Sequence, residues 1–139
     1  MNYLLDTCVI SEYTKKRPEQ SVLEWVANSV ESELYLSVLT IGEIKRGIER
    51  LSESERKTAL QSWLNDDLQA RFGHRLVVID ADVMLTWGAL MAQLEKLGRI
   101  LPFADSLIAA TALRHNLILV TRNVSDFDGT GVQLINPWN

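Results

Sequence analysis

Short, nearly all-apolar runs alternate along this chain with longer stretches whose apolar residues recur every three or four positions. The runs at 2–5, 34–37, 75–79, 117–120 and 132–135 read as strands. The intervening stretches read as amphipathic helices. Residues 10–16 form a short one ended by Arg17-Pro18, and 19–28 another through Val22, Leu23, Trp25 and Val26. Thr40 opens a helix with the stripe Ile41, Ile44, Ile48 and Leu51. Ser52-Glu53-Ser54-Glu55 is a capping-box signature before a longer helix that turns Leu60, Trp63, Leu64 and Leu68 inward. Asp80 caps a helix running through Val83, Leu85, Trp87, Leu90, Met91 and Leu94 to a stop at Gly98. Pro102 fits the first turn of the next helix, which buries Leu107, Ile108, Thr111, Ala112 and Leu113. Asn116 is placed for a left-handed stop.

Strands this short and this apolar belong in a parallel sheet covered on both faces. The expected fold is therefore a three-layer α/β/α sandwich around a mostly parallel sheet of about five short strands. The 139 residues suit a single domain spanning 1–139. Right-handed crossovers bring every strand's carboxyl end to one edge, where open α/β sheets bind their ligands.

Four acids fall at that edge: Asp6 after Leu4-Leu5, Glu43 early in its helix, Asp105 after Phe103-Ala104, and Asp126 shortly beyond the strand at 117–120. Each has a plainer use. Asp6 suits an Asx turn, Thr40 and Glu43 a capping box, Asp105 a favourable helix dipole and Asp126 a turn cap. Asp6 and Asp105, however, sit in apolar surroundings where an uncompensated carboxylate is costly. Several such groups together repel unless protonated or bound to a cation. Oxygen donors alone suit Mg²⁺ or Mn²⁺. The pattern points to a metal-dependent hydrolase of phosphodiesters.

Composition narrows the field. Cys8 is the only cysteine, which excludes an internal disulfide and a cysteine-based zinc site. Two histidines, His74 and His115, are too few and too scattered for a histidine-rich metal centre. No run approaches a membrane span and no signal-peptide pattern opens the chain, so the cytoplasm is the expected location. Cys8 also stands where haloacid-dehalogenase phosphatases need a second Asp, and no glycine pattern matches a phosphate or dinucleotide loop. The net charge of −4 weighs against nucleic acid, but the four acids account for it. Basic residues fall in short groups, Lys15-Lys16-Arg17, Lys45-Arg46 with Arg50, Arg56-Lys57, and Arg114 with Arg122, as solvated helix faces or as phosphate contacts.

Taken in order, several segments carry a resemblance. They are Leu4-Leu5-Asp6-Thr7-Cys8-Val9-Ile10-Ser11, the stretch from Ser37 through Glu43 to Ile48, Phe103-Ala104-Asp105 with the helix after it, and Thr121-Arg122-Asn123-Val124-Ser125-Asp126-Phe127. Gly129-Thr130-Gly131 and Asn136-Pro137-Trp138 complete the set. The chain resembles PIN-domain ribonucleases, specifically VapC-type toxins of bacterial toxin–antitoxin pairs, and the likeness spans almost its whole length.

The resemblance implies an endoribonuclease dependent on Mg²⁺ or Mn²⁺, using metal-activated water to leave 5′-phosphate and 3′-hydroxyl ends. It implies metal and catalytic roles for Asp6, Glu43, Asp105 and Asp126, with Thr7, Thr121, Asn123 and Ser37 orienting them. Lys15, Lys16, Arg17, Lys45 and Arg46 are the candidate RNA contacts. A homodimer, or a larger assembly with a cognate antitoxin, is expected, with DNA met only through the antitoxin. The competing expectations are a non-catalytic PIN-like binding module and a Mg²⁺-dependent nuclease acting on DNA.

Overall fold

The computed structural model describes residues 1–139. Its sheet comprises β1 (Tyr3–Leu5), β2 (Leu34–Ser37), β3 (Leu76–Val77), β4 (Ile118–Val120) and β5 (Leu134–Ile135). The order is β3-β2-β1-β4-β5 and every pairing is parallel. The helices are α1 (Thr7–Ser11), α2 (Gln20–Asn28), α3 (Val38–Glu49), α4 (Glu55–Ser62), α5 (Gln69–Phe72), α6 (Ala81–Lys96) and α7 (Phe103–His115).

Alternation along the central strands divides the core into two layers. Leu5, Leu34, Leu36 and Val120 face Val22 and Val26 of α2, Ile44 and Ile48 of α3, and Leu64, Leu68 and Phe72. Leu4 and Leu119 face the other way, onto Leu90 and Leu94 of α6 and Ile108, Ala109 and Ala112 of α7. Alanines on α7 let that helix lie close against the sheet, and Ala109 and Ala110 are fully buried. The chain runs outward from β1 through β2 to β3, then crosses to β4. The topological switch point thus lies between β1 and β4, where such sheets open a crevice.

Several local expectations are corrected. The first helix begins at Thr7 rather than residue 10, because Asp6 caps it by accepting from the Thr7 amide, and it continues as a 3₁₀ turn over Glu12–Thr14. Ser37, not Thr40, caps α3 by accepting from the Leu39 amide. Ser54, rather than Ser52, caps α4 through the Lys57 amide. Between α4 and α5 the helix widens into a π segment, Trp63–Leu68, whose larger turn keeps Leu64, Leu68 and Phe72, spaced by four, on the buried side. Pro102 occupies the cap position of α7 instead of its first turn. Leu85 points to solvent, 73% exposed, because α6 buries only the narrower stripe Val83, Leu90 and Leu94. Asp80 and Asn116 act as expected, Asn116 in the left-handed conformation at φ 54°. No helix is long and apolar enough to cross a membrane.

Candidate active site

The carboxyl ends of β1 and β4 meet through backbone and side chain together. Strand pairing continues one step past β1, with the Asp6 amide donating to the Val120 carbonyl at 3.0 Å. This sets Asp6 beside Thr121, whose hydroxyl donates to Asp6 Oδ2 at 2.8 Å. The Asn123 amide donates to Thr121 Oγ1 at 3.1 Å, so Asn123 supports the site through its backbone, a contribution that does not require its side chain. The Thr7 amide donates to Asp6 Oδ1 at 2.8 Å, and the Thr7 hydroxyl reaches across to α3 and donates to Glu43 Oε1 at 2.7 Å.

Asp105, in the first turn of α7, and Asp126, in the 3₁₀ turn Val124–Phe127, complete the group. Their convergence registers electrostatically. Burial raises the Asp105 pKa, and the charges of Asp6, Asp126 and Glu43 raise it further. Asp6 is the floor of the crevice, only 6% exposed, whereas Glu43 and Asp126 are open to solvent. Burial lifts the Asp6 pKa; the Thr121 hydroxyl and Thr7 amide pull against this and Glu43 adds to it, leaving a net rise. The fold thus holds two carboxyls whose ionised forms it disfavours, an arrangement common at functional sites.

No three His, Cys, Asp or Glu side chains in the molecule stand close enough together to cage an ion by themselves. The charges of Asp6, Asp126 and Glu43 nonetheless all reach Asp105. Mg²⁺ retains several waters and takes only one or two carboxylates directly, so oxygen donors spaced more widely than a cage are compatible with a hydrated hard cation. No hydrogen bond offsets the burial of Asp105, and its oxygens remain free for that purpose. Cys8 lies 3.8 Å from Asp6 Oδ2, but burial first, and then the Asp6 charge, push its thiol pKa up. It stays a weak donor, not a thiolate ligand.

The other expected residues divide. Ser37 is fully buried as the α3 cap and is bonded to backbone rather than to an acid. Lys15 is bound to Glu12, and Lys45 to Glu49 at 2.6 Å. Lys16, Arg17 and Arg46 are exposed. A groove of about 220 Å³ leads away from Thr7 and Glu43, and the cation lining it is Arg56, not one of those five. Larger hollows lie elsewhere. One of about 320 Å³, at the amino ends of the strands, brings His74 and His115 to a single cavity but contains none of the four acids.

Three buried or groove-lining groups are not among the candidates read from the sequence. Thr40, fully buried, stands 2.9 Å from Thr7 Oγ1. Arg56 reaches the groove from the start of α4. Glu12, 2% exposed, accepts from Lys15 and from the Glu19 amide. An acid three residues before Lys15 is the available signal for Glu12; Arg56 stands in the short basic group Arg56-Lys57 but not among the five candidate RNA contacts.

The PIN domain model matches residues 3–131. The VapC ribonuclease Y4jK of Sinorhizobium fredii is 36% identical, covering 97% of this chain and 96% of that protein. Toxin FitB of Neisseria gonorrhoeae is 31% identical over 98% of each. The crystal structure of FitAcB from the same organism superposes with a TM-score of 0.94 over 99% of both chains. VapBC2 from Rickettsia felis, bound to a DNA fragment from its promoter, superposes with a TM-score of 0.77 at 26% identity over 98% of each.

Proposed function

This chain belongs to the PIN-domain family, and on that footing we propose that it is an endoribonuclease toxin of a toxin–antitoxin pair, hydrolysing RNA phosphodiesters at the crevice between β1 and β4. The observation that carries the reading is the set of acids at the β1–β4 edge, where Thr121 and Thr7 fix Asp6, Thr7 ties it to Glu43, and the charges of Asp6, Asp126 and Glu43 add to burial in raising the Asp105 pKa, an arrangement common at functional sites.

Asp6, Asp105, Glu43 and Asp126 would hold Mg²⁺ or Mn²⁺, directly or through water, and the ion would supply Lewis-acid activation of water and neutralise phosphate charge. The protein's own groups then have distinct tasks. Thr121 and the Thr7 amide occupy one oxygen each of Asp6 and fix its plane. Thr7 holds Glu43 toward the crevice, which matters because Glu43 is exposed and otherwise free to turn into solvent. Asp105 is free to take a proton from an attacking water at a carboxyl oxygen. The phosphodiester enters from the open side, between Glu43 and Asp126, with the groove past Arg56 receiving the flanking chain.

The relatives' names extend to partners. FitB is a toxin, and VapBC2 was captured on promoter DNA. We therefore assign this chain a cognate antitoxin, assembly as a homodimer or larger toxin–antitoxin complex, and contact with DNA through the antitoxin alone. Incubating the purified chain with structured RNA and with DNA, with Mn²⁺ or EDTA, tests the reading. RNA cleavage that requires Mn²⁺ and leaves 5′-phosphates is expected. Cleavage of DNA alone, or of neither, contradicts it.

A further inference from the structure

Thr40 lies one helical turn before Glu43 on α3, with its side chain completely buried. A threonine inside a helix commonly returns its hydroxyl proton to the carbonyl four residues back. Thr40 instead bonds across the gap to α1, its Oγ1 lying 2.9 Å from Thr7 Oγ1, and this is its only side-chain hydrogen bond. Proton counting fixes the direction. A hydroxyl has one proton to donate. Thr7 gives its own to Glu43 Oε1, so the bond between the two threonines must carry the proton of Thr40. The result is a one-way chain from Thr40 to Thr7 to Glu43, which parallels the Asn123 amide–Thr121–Asp6 chain on the other side of the crevice.

From this geometry we propose that Thr40 is a positioning residue for the hydrolytic site, locking the Thr7 hydroxyl in the rotamer that holds Glu43. The inference rests on the proposed metal-dependent hydrolysis and deepens it. Thr7 binds Asp6 through its amide and Glu43 through its hydroxyl, so it sets the spacing of two acids carried on different elements. The amide is fixed by the backbone; the hydroxyl can rotate among three wells. Thr40 removes that freedom. Valine keeps the shape of threonine without the donor, whereas serine keeps the donor.

The test compares Thr40→Val and Thr40→Ser in the full chain by Mn²⁺ affinity, read from the paramagnetic resonance of free Mn²⁺, by kcat for RNA cleavage and by melting temperature. T40V is expected to lose about tenfold in kcat, the equivalent of one hydrogen bond. It should also bind Mn²⁺ several-fold more weakly while melting near the wild-type temperature, and T40S should recover most of both losses. In a Thr7→Val background, T40V should add nothing, because no rotor remains to be set. Wild-type kcat and Mn²⁺ affinity in T40V, or full additivity with Thr7→Val, overturns the assignment. Should T40V fail to fold, Thr40→Cys, a weak donor of similar bulk, takes its place with the same expected losses, and wild-type behaviour there overturns the assignment equally. A wild-type chain that neither binds Mn²⁺ nor cuts RNA removes the underlying hydrolytic reading instead, whatever the Thr40 variants do.

Discussion

Asp105 brings a charge into a half-buried position that Asp6, Asp126 and Glu43 already make negative, and its raised pKa has a definite consequence for stability. A carboxyl whose folded pKa exceeds its unfolded value holds its proton more tightly in the native state. Stability is then lost as pH rises from the unfolded value through the raised folded one. Asp105→Asn should therefore raise the melting temperature of the metal-free protein at neutral pH, and the gain should vanish below the unfolded carboxylate range. The same substitution should lower RNA cleavage by about 10²–10³-fold. A metal-free melting temperature unchanged at neutral pH would show that the acids do not strain one another. Glu12 behaves in the opposite sense. Burial opposes its charge, but Lys15, the Glu19 amide and Arg122 together outweigh burial and hold its pKa down. Its contribution is present above the unfolded value and is lost as pH falls through the folded one. Glu12→Gln should narrow the difference in melting temperature between neutral and acidic pH, as calorimetry across that range would show. The acids themselves were legible in the sequence because strand ends and helix starts carry them. The hydroxyls were only partly so, since Thr7 and Thr121 follow strands whereas Thr40 looks like a cap until the structure places Ser37 there.

At the scale of elements, α3 is the part on which the site most depends. Its cap, Ser37, ends β2 and satisfies the Leu39 amide, and Ile44 and Ile48 anchor the helix in the core. Ser37→Ala should cost about 1 kcal/mol, as loss of a helix cap does, seen as a lower denaturation midpoint with an unchanged slope. Asn116 closes α7 in a left-handed conformation at φ 54°, which a β-branched residue resists. The boundaries that the sequence misplaced share one cause: competing caps. Ser37 competes with Thr40 and Ser54 with Ser52, and tertiary placement of the helix decides between them. The strands that shortened most, β3 and β5, are the two edges of the sheet, where pairing on one side only leaves apolar residues outside the ladder. Arg56 lines the groove beside α3, where its guanidinium donates to the Thr14 carbonyl at 3.3 Å, on the path proposed for the flanking RNA chain. Arg56→Ala should weaken RNA binding and reduce its salt slope by about one phosphate contact. An unchanged slope would return the role to the exposed cations Lys16, Arg17 and Arg46.

For the whole molecule, a parallel sheet with its switch point between β1 and β4 sets the ends of those strands side by side, and Asp105 feels the charges of Asp6, Asp126 and Glu43 from three other segments. That architecture was readable from alternating apolar patterns, because both faces of every central strand had to be covered. The loose spacing of the acids was not readable. It depends on how far α3 and α7 stand off the sheet, and so on packing at Ile44, Ile48, Ala109 and Ala112. The proposed hydrolysis at this crevice requires that the carboxylates tolerate one another in order to hold a cation. The most direct measurement is Mn²⁺ binding to the wild-type chain and to the paired variant Asp6→Asn with Asp105→Asn, followed by calorimetry alongside RNA cleavage. The wild-type chain is expected to bind Mn²⁺ and cut RNA. The paired variant should fold, melt no lower when metal-free at neutral pH, and lose both properties. Undiminished Mn²⁺ affinity in a folded paired variant would contradict a cation site at these acids.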